Sequence, residues 1–84
     1  MIKKLSELLG IDVSIRTRQP EYAWARFAAY YYLSRRKRFS EPKIGKMFGY
    51  SAASVHHGIH EFMTKLEIND SMACDYWDKL KNIK

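Results

Sequence analysis

The stretch from residue 39 to residue 66 constrains the fold more than any other part of the chain, because two helical patterns are separated there by only a few residues. The first pattern predicts a helix over Glu41–Phe48. Ser40 precedes it as a suitable N-cap, and Pro42 falls in its first turn, where proline is tolerated. Gly49 follows it and can adopt the left-handed conformation that ends many helices.

Ser51 is a second N-cap, and it predicts a helix over Ala52–Leu66. Four residues recur at helical spacing on its core-facing side: Val55, Ile59, Phe62 and Leu66. Two helices joined by so short a glycine-containing turn are typical of a helix-turn-helix, whose second helix enters the major groove of DNA. We therefore predict a helix-turn-helix at about residues 40–66.

The remaining sequence predicts further helices around this motif, so that residues 1–84 form a single all-α domain of about five helices. A short amphipathic helix is predicted over Ile2–Leu9, ended by Gly10. A long helix is predicted from Pro20 to about Lys37. A last helix is predicted from about Asp70 to Leu80 or beyond, with Asn69 as its N-cap.

The long helix is apolar around most of its circumference between residues 22 and 33, which is typical of a helix at the centre of a bundle. Its aromatic side chains are therefore predicted to pack in the core rather than to stack on bases. Arg26 is the one charge within this run, and we expect it where the helix reaches the surface. Residues 11–19 alternate apolar and polar side chains but have no partner strand, so they are predicted to form an extended connector.

Positive charge is concentrated in the first half of the chain. The formal net charge is +6. Residues 1–40 contain nine Lys and Arg against three Asp and Glu, whereas residues 41–84 contain six of each kind. This distribution favours a polyanionic partner, with nucleic acid ahead of a membrane. The alternative is that the charge only keeps the protein soluble.

The sequence contains few features typical of a disulfide-stabilised, metal-binding, membrane or enzymatic protein. Cys74 is the only cysteine, so no disulfide framework or cysteine-based zinc site can form within one chain. No apolar run is long enough to span a membrane and no signal-peptide core is present, which predicts a cytoplasmic protein. Without a Gly-rich phosphate loop, a GxSxG motif or paired carboxylates, neither enzymatic activity nor a cofactor is predicted. His56 and His60 have the spacing of two metal ligands, but no third ligand is evident and no metal site is predicted.

Basic residues outside the second helix of the motif are candidates for contacts with the DNA backbone. They are Arg16, Arg18, Arg35, Arg36, Arg38, Lys43 and Lys46. The first two form either a basic arm that reaches phosphates or the minor groove, or a solvated linker. The cluster at 35–38 either complements the negative end of the helix dipole or holds phosphates.

The second helix of the motif exposes small residues at its N-terminus, where helix-turn-helix proteins contact base edges. Ser51 and Ser54 can hydrogen-bond to bases or phosphates, and Ala52 and Ala53 can contact a thymine methyl group. The alternative is that Ser51 only caps the helix and Ser54 is only solvated. Histidines on this surface, among them His57, are expected to lie near the DNA.

Two sequence segments suggest a family. Residues 25–49, ARFAAYYYLSRRKRFSEPKIGKMFG, match a pattern that typically reads ARQIAMYL, a connecting segment and then SLPEIGxxFG. The matching residues are Ala25, Arg26, Ala29, Tyr31, Ser40, Pro42, Ile44, Gly45, Phe48 and Gly49. The following YSAASVHHG is similar to GRDHSTVLHA at Ser54, Val55 and His57, but is one residue shorter and lacks the Arg-Asp-His part. Over roughly residues 20–68 the chain thus resembles the C-terminal DNA-binding domain of the bacterial chromosomal replication initiator DnaA.

This resemblance implies an all-helical domain with a Trp-repressor-like helix-turn-helix that binds double-stranded DNA. It implies that Arg26 lies in the DNA-facing basic region. It places Glu41, Pro42 and Lys43 against the DNA backbone. It places Ala52, Ala53 and Ser54 near bases in the major groove. The family's nucleotide-binding motor is absent. The chain is therefore expected to be a free-standing relative of the DNA-binding module, acting in replication or transcription control of a phage or mobile element.

The alternative function is a protein-interaction module that keeps this fold but has lost specific DNA recognition. The altered signature and exposed aromatic rings favour this alternative, and the basic first half opposes it. RNA binding is a third option, without an RNA-specific motif to support it. One helix-turn-helix reads only a few base pairs, so a homodimer or a protein partner is expected to add specificity.

Overall fold

The computed structural model describes residues 1–17 and 19–82, which contain five α-helices and no β-strand. The helices are α1 (Ile2–Leu9), α2 (Pro20–Arg35), α3 (Glu41–Phe48), α4 (Ala52–Glu67) and α5 (Ser71–Lys81). The predicted all-α fold of about five helices is confirmed. Residues 11–17 are a connector without helix or strand, as predicted, but they form turns and irregular backbone rather than an extended segment, and Val13 anchors them in the core. No helix of the described residues is long and apolar enough to cross a membrane.

The helix ends follow the chemistry of the capping residues. The hydroxyl of Ser40 accepts a hydrogen bond from the backbone N–H of Lys43 at the start of α3, and Ser51 does the same for Ser54 at the start of α4. Gly49 ends α3 in the left-handed conformation, with a φ of 80°. These contacts confirm the predicted caps, and they leave residues 49–51 as the whole connection between α3 and α4.

The start of α5 differs from the prediction. The N-cap is Asp70, whose carboxylate accepts a hydrogen bond from the N–H of Ala73 at 3.1 Å. Asn69, the predicted cap, instead has a φ of 57° in the turn after α4. An N-cap needs extended backbone, whereas asparagine tolerates the left-handed conformation that this chain reversal requires. The two adjacent polar residues therefore have different tasks.

Helix α2 lies at the centre of the bundle and packs against α3, α4 and α5. Its alanines Ala25, Ala28 and Ala29 are fully buried, which lets the neighbouring helices approach closely. Tyr31 packs its ring against Phe62 of α4 and Trp77 of α5, with ring centres 5.4 and 4.9 Å apart. The predicted central position of this helix is thus confirmed.

Every aromatic side chain of the protein is buried or half-buried. The exposed aromatic rings that would favour a protein-interaction module are therefore not found, and that expectation was wrong. Among residues 1–17 and 19–82, the exposed large hydrophobic residues are non-aromatic: Met1, Leu8, Ile15 and Ile68. The rings pack instead against residues of other helices, as Tyr31 of α2 does against Phe62 of α4 and Trp77 of α5.

Candidate nucleic-acid interface

The exposed face of α4 forms the centre of the candidate interface. Its exposed residues include Ala53, Ser54, His57, His60 and Thr64. The opposite face is buried through Val55, Ile59 and Phe62, so α4 is fixed by its core side and free on its solvent side. The first turns of α4 therefore present to solvent most of the small residues that the sequence predicts near bases, although Ala52 is half-buried.

The two serines at the start of α4 have different amounts of free hydrogen-bonding capacity. The Oγ atom of Ser51 accepts the Ser54 N–H at 3.1 Å, and its hydroxyl donates to the Oγ atom of Ser54, also at 3.1 Å. Ser51 is thus occupied by capping. The Ser54 hydroxyl accepts this bond but keeps its own proton available to a ligand.

On the side of α4 that faces α2, two arginines meet one tyrosine. The guanidinium carbon of Arg16 lies 4.8 Å from the centre of the Tyr50 ring, and that of Arg26 lies 4.9 Å from it. Nη1 of Arg26 donates a hydrogen bond of 3.4 Å to the carbonyl oxygen of Ile15. Tyr50 therefore ties the connector before α2 to the turn between α3 and α4 through cation–π contacts.

Arg26 does not lie where α2 reaches the surface, contrary to the prediction. It is 7 % exposed and packs beneath the connector and Tyr50. The prediction was wrong because it considered α2 alone, whereas the covering residues come from segments that are distant in sequence. Sequence reasoning also missed Tyr50 as a contact residue, and its only local signal is an aromatic residue directly after the helix-ending Gly49.

On the side of α4 that faces α3, a carboxylate and two histidines are close together. Nδ1 of His56 lies 2.8 Å from Oε2 of Glu41, and the rings of His56 and His60 have centres 4.2 Å apart. His57 points about 100° away around the helix, where its ring meets the edge of Phe27. The exposed face of α4 is thus bordered by α3 on one side and by α2 on the other.

Three of the other predicted basic residues lie near the side of α4 that faces α3: Lys43, Lys46 and Arg35. Lys43 and Lys46 are exposed on α3, and Nζ of Lys43 lies 4.0 Å from the centre of the Phe39 ring. The Nη2 atom of Arg35 lies 3.2 Å from Sδ of Met63, which is seven residues from His56 and hence on the same side of α4.

Arg36 and Arg38, the other predicted members of the basic cluster at residues 35–38, do not lie beside the exposed face of α4. Arg36 stacks over Trp77 of α5, with its guanidinium carbon 5.7 Å from the ring centre. Arg38 is exposed in the loop before α3, with a φ of 58°. Arg18 lies outside the described residues.

Few of the cations are neutralised within the fold. Over residues 1–17 and 19–82, ion pairs between a lysine or arginine and a carboxylate are found only in α5, where Lys79 pairs with Asp75 and Lys81 with Asp78. The two other pairs, His56–Glu41 and His57–Glu61, involve histidine. The basic residues around α4 are thus free to attract an anion.

The histidines do not form a recognisable metal centre. Within the described part of the chain, no group of three or more His, Cys, Asp or Glu residues is arranged to hold a metal ion. Among the described residues, Glu41 has the one carboxylate within ion-pair distance of His56, and no carboxylate is found within that distance of His60.

The buried phenol of Tyr30, which lies beside Arg26, is expected to make the stability of the protein depend on pH at high pH. Burial raises the pKa of Tyr30 to about 12, and the neighbouring Arg26 cation offsets that only in part. Because this pKa lies above the ordinary value of 10.0, the buried phenol contributes stability that is complete below about pH 10 and lost as the pH rises towards 12. We expect Tyr30→Phe to remove the last phenolate transition from an ultraviolet titration. Ionisation of all tyrosines together near pH 10, with the helices still folded by circular dichroism, would contradict this.

Comparison of the chain with protein-family models, curated proteins and solved structures gave no match in any of the three searches. The resemblance to the initiator's C-terminal domain is therefore supported only by the residues that carry it.

Proposed function

We propose that the protein binds double-stranded DNA, with the exposed face of α4 in the major groove. The observation that carries the proposal is the composition of this face and its borders. Small residues and histidines are exposed along α4, and Arg16, Arg26 and Arg35 lie along its sides without a carboxylate partner in the described residues. A convex helix between cations complements a groove between two rows of phosphates.

Helix α3 has a supporting role in this proposal. Its first turn contacts α4 through Glu41 and His56, and two exposed lysines, Lys43 and Lys46, lie on the same short helix. A helix-turn-helix uses its first helix to cross the DNA backbone. We therefore assign phosphate contacts to these two lysines. The sequence resemblance points to the same role for Lys43.

The salt dependence of duplex binding tests this assignment. Fluorescence anisotropy with a random-sequence duplex is expected to give an affinity that falls steeply with salt, because each neutralised phosphate releases counterions. Replacement of both Lys43 and Lys46 by glutamine is expected to lower affinity and to reduce the slope of log K against log salt by about 2.

The paired lysines of α5 provide the matched control. Lys79→Gln with Lys81→Gln removes the same charge from side chains that already have carboxylate partners, and should change the slope little. An unchanged affinity in the Lys43/Lys46 variant would exclude α3 from the interface. Absence of duplex binding even at low salt would refute the DNA proposal and favour a protein-interaction module.

A further inference from the structure

Arg26 is a buried cation that its own fold leaves incompletely paired. It is 7 % exposed, its Nε atom has no hydrogen-bond partner, and its Nη1 atom makes one long bond to the Ile15 carbonyl. No ion pair with a carboxylate is found for it among residues 1–17 and 19–82. Burying a charge costs free energy unless an opposite charge and hydrogen bonds offset the loss of water. An anion from outside the chain would supply both.

A second guanidinium group is held close to the first. Arg16 and Arg26 both contact the Tyr50 ring, at 4.8 and 4.9 Å from its centre, so the two cationic centres are within about 10 Å of each other. Bringing two like charges this close is unfavourable in the empty protein. An anion bound between them would turn that repulsion into two attractions.

A surface depression opens between these arginines and the start of α4. One part, of about 290 Å³, is lined by Arg16, Arg26 and Tyr50. The adjoining part, of about 400 Å³, shares Arg26 and Tyr50 and adds Ser54 and His57 of α4. The Ser54 hydroxyl proton is free, and the first N–H groups of this 16-residue helix carry its positive dipole end. Donors from three segments of the chain thus line two adjoining spaces, and Arg26 borders both of them.

We propose that this depression binds one phosphate group, with Arg16 and Arg26 as its principal ligands. Phosphate oxygens are acceptors only, and a guanidinium fork can pair with two of them at once. If the phosphate belongs to a DNA strand, the pocket fixes the position of α4 along the duplex. The inference rests on the proposed function only if the phosphate is part of DNA. A free phosphate group presents the same oxygens, and its binding to the pocket would not require DNA binding.

Inorganic phosphate is the first probe, titrated against chloride at constant ionic strength and followed by nuclear magnetic resonance. The Nε–Hε signals of Arg16 and Arg26 and the amide signal of Ser54 are expected to shift and saturate. Arg16 is exposed, so Arg16→Gln should fold normally and weaken binding about tenfold. Arg36→Gln is the matched control, since Arg36 stacks on α5, and it should leave the affinity unchanged.

Two results of this titration would overturn the proposal. One is a set of shifts that never saturates and is spread over many basic residues. The other is equal weakening by Arg16→Gln and Arg36→Gln, because the effect would then come from net charge.

Arg26→Met provides an independent test, because it replaces the unpaired cation by an apolar side chain that can fill similar space. It is expected to abolish saturable phosphate binding without lowering the Tm, whereas phosphate should raise the Tm of the unaltered protein. A lower Tm together with undiminished phosphate binding would show that Arg26 serves the fold alone, and would overturn the proposal.

A short duplex then distinguishes the two sources of phosphate. If the DNA backbone is the ligand, the duplex displaces inorganic phosphate, and Arg16→Gln weakens both. If the duplex binds without displacing phosphate, the pocket is supported as a site for a free phosphate group. If phosphate saturates the pocket but no duplex binds, the proposed DNA function fails and the phosphate site stands.

Discussion

Gly45→Ala is expected to lower the free energy of unfolding by about 2 to 3 kcal/mol. A Cβ atom at Gly45 would overlap the carbonyl oxygen of Tyr50 and lie 3.3 Å from the carbonyl carbon of Ser51. These are backbone atoms of the turn between α3 and α4, held by hydrogen bonds from the N–H groups of Gly49 and Tyr50 to the Gly45 carbonyl. They cannot withdraw without breaking the turn. Alanine gains only about 1 kcal/mol of helix propensity over glycine, so the overlap dominates.

Urea unfolding would report this loss as a lower midpoint with an unchanged slope. Gly10→Ala is the control, because its Cβ would meet no atom within 4 Å but would strain a backbone with a φ of 74°. Strain alone should cost about 1 kcal/mol. A loss at Gly45 no greater than the loss at Gly10 would mean that the turn can yield, and that α4 is not rigidly placed by α3.

Ala53→Glu is expected to weaken duplex binding about a hundredfold, which corresponds to about 2.7 kcal/mol. Ala53 is exposed in the first turn of α4, beside His57 and the depression that Arg26 lines. A carboxylate there would repel the phosphates on either side of the groove and would compete for the arginine. The fold should not suffer, because an acidic residue in a first turn interacts favourably with the helix dipole.

Ser71→Glu adds the same charge to the exposed first turn of α5, away from the proposed interface. It changes the net charge equally and should leave duplex affinity almost unaltered in the same anisotropy assay. If both variants weaken binding equally, the protein binds DNA through net charge rather than through α4. If Ala53→Glu binds as tightly as the unaltered protein, the face of α4 is not in contact with DNA.

The helices could be predicted from the sequence because their signals are local. Ser40, Gly49 and Ser51 act within one turn of their own position, and the structure has them in the predicted tasks. The exception at Asn69 and Asp70 shows the limit of such signals. Two adjacent residues were both able to cap α5, and the chain reversal after α4 selected between them.

The candidate site could be predicted only in part, because its parts converge from distant segments. The exposed small residues at the start of α4 followed from helical periodicity. The contact of Arg16 and Arg26 with Tyr50 joins residues 24 to 34 positions apart in sequence, and no local pattern encodes it. Arg35 and Arg36 likewise contact different helices although they are adjacent in sequence. Arg36 contacts Trp77 because of the way α5 packs, which no local pattern predicts.

DNA binding through the first turns of α4 is tested most directly by the amide resonances of an isotope-labelled protein titrated with a short duplex. The largest changes are expected at Ala52–His57, with Arg16 and Arg26 also affected, while the signals of α5 change little. Changes confined to α1 and α5, or no change at low salt, would contradict DNA binding through α4.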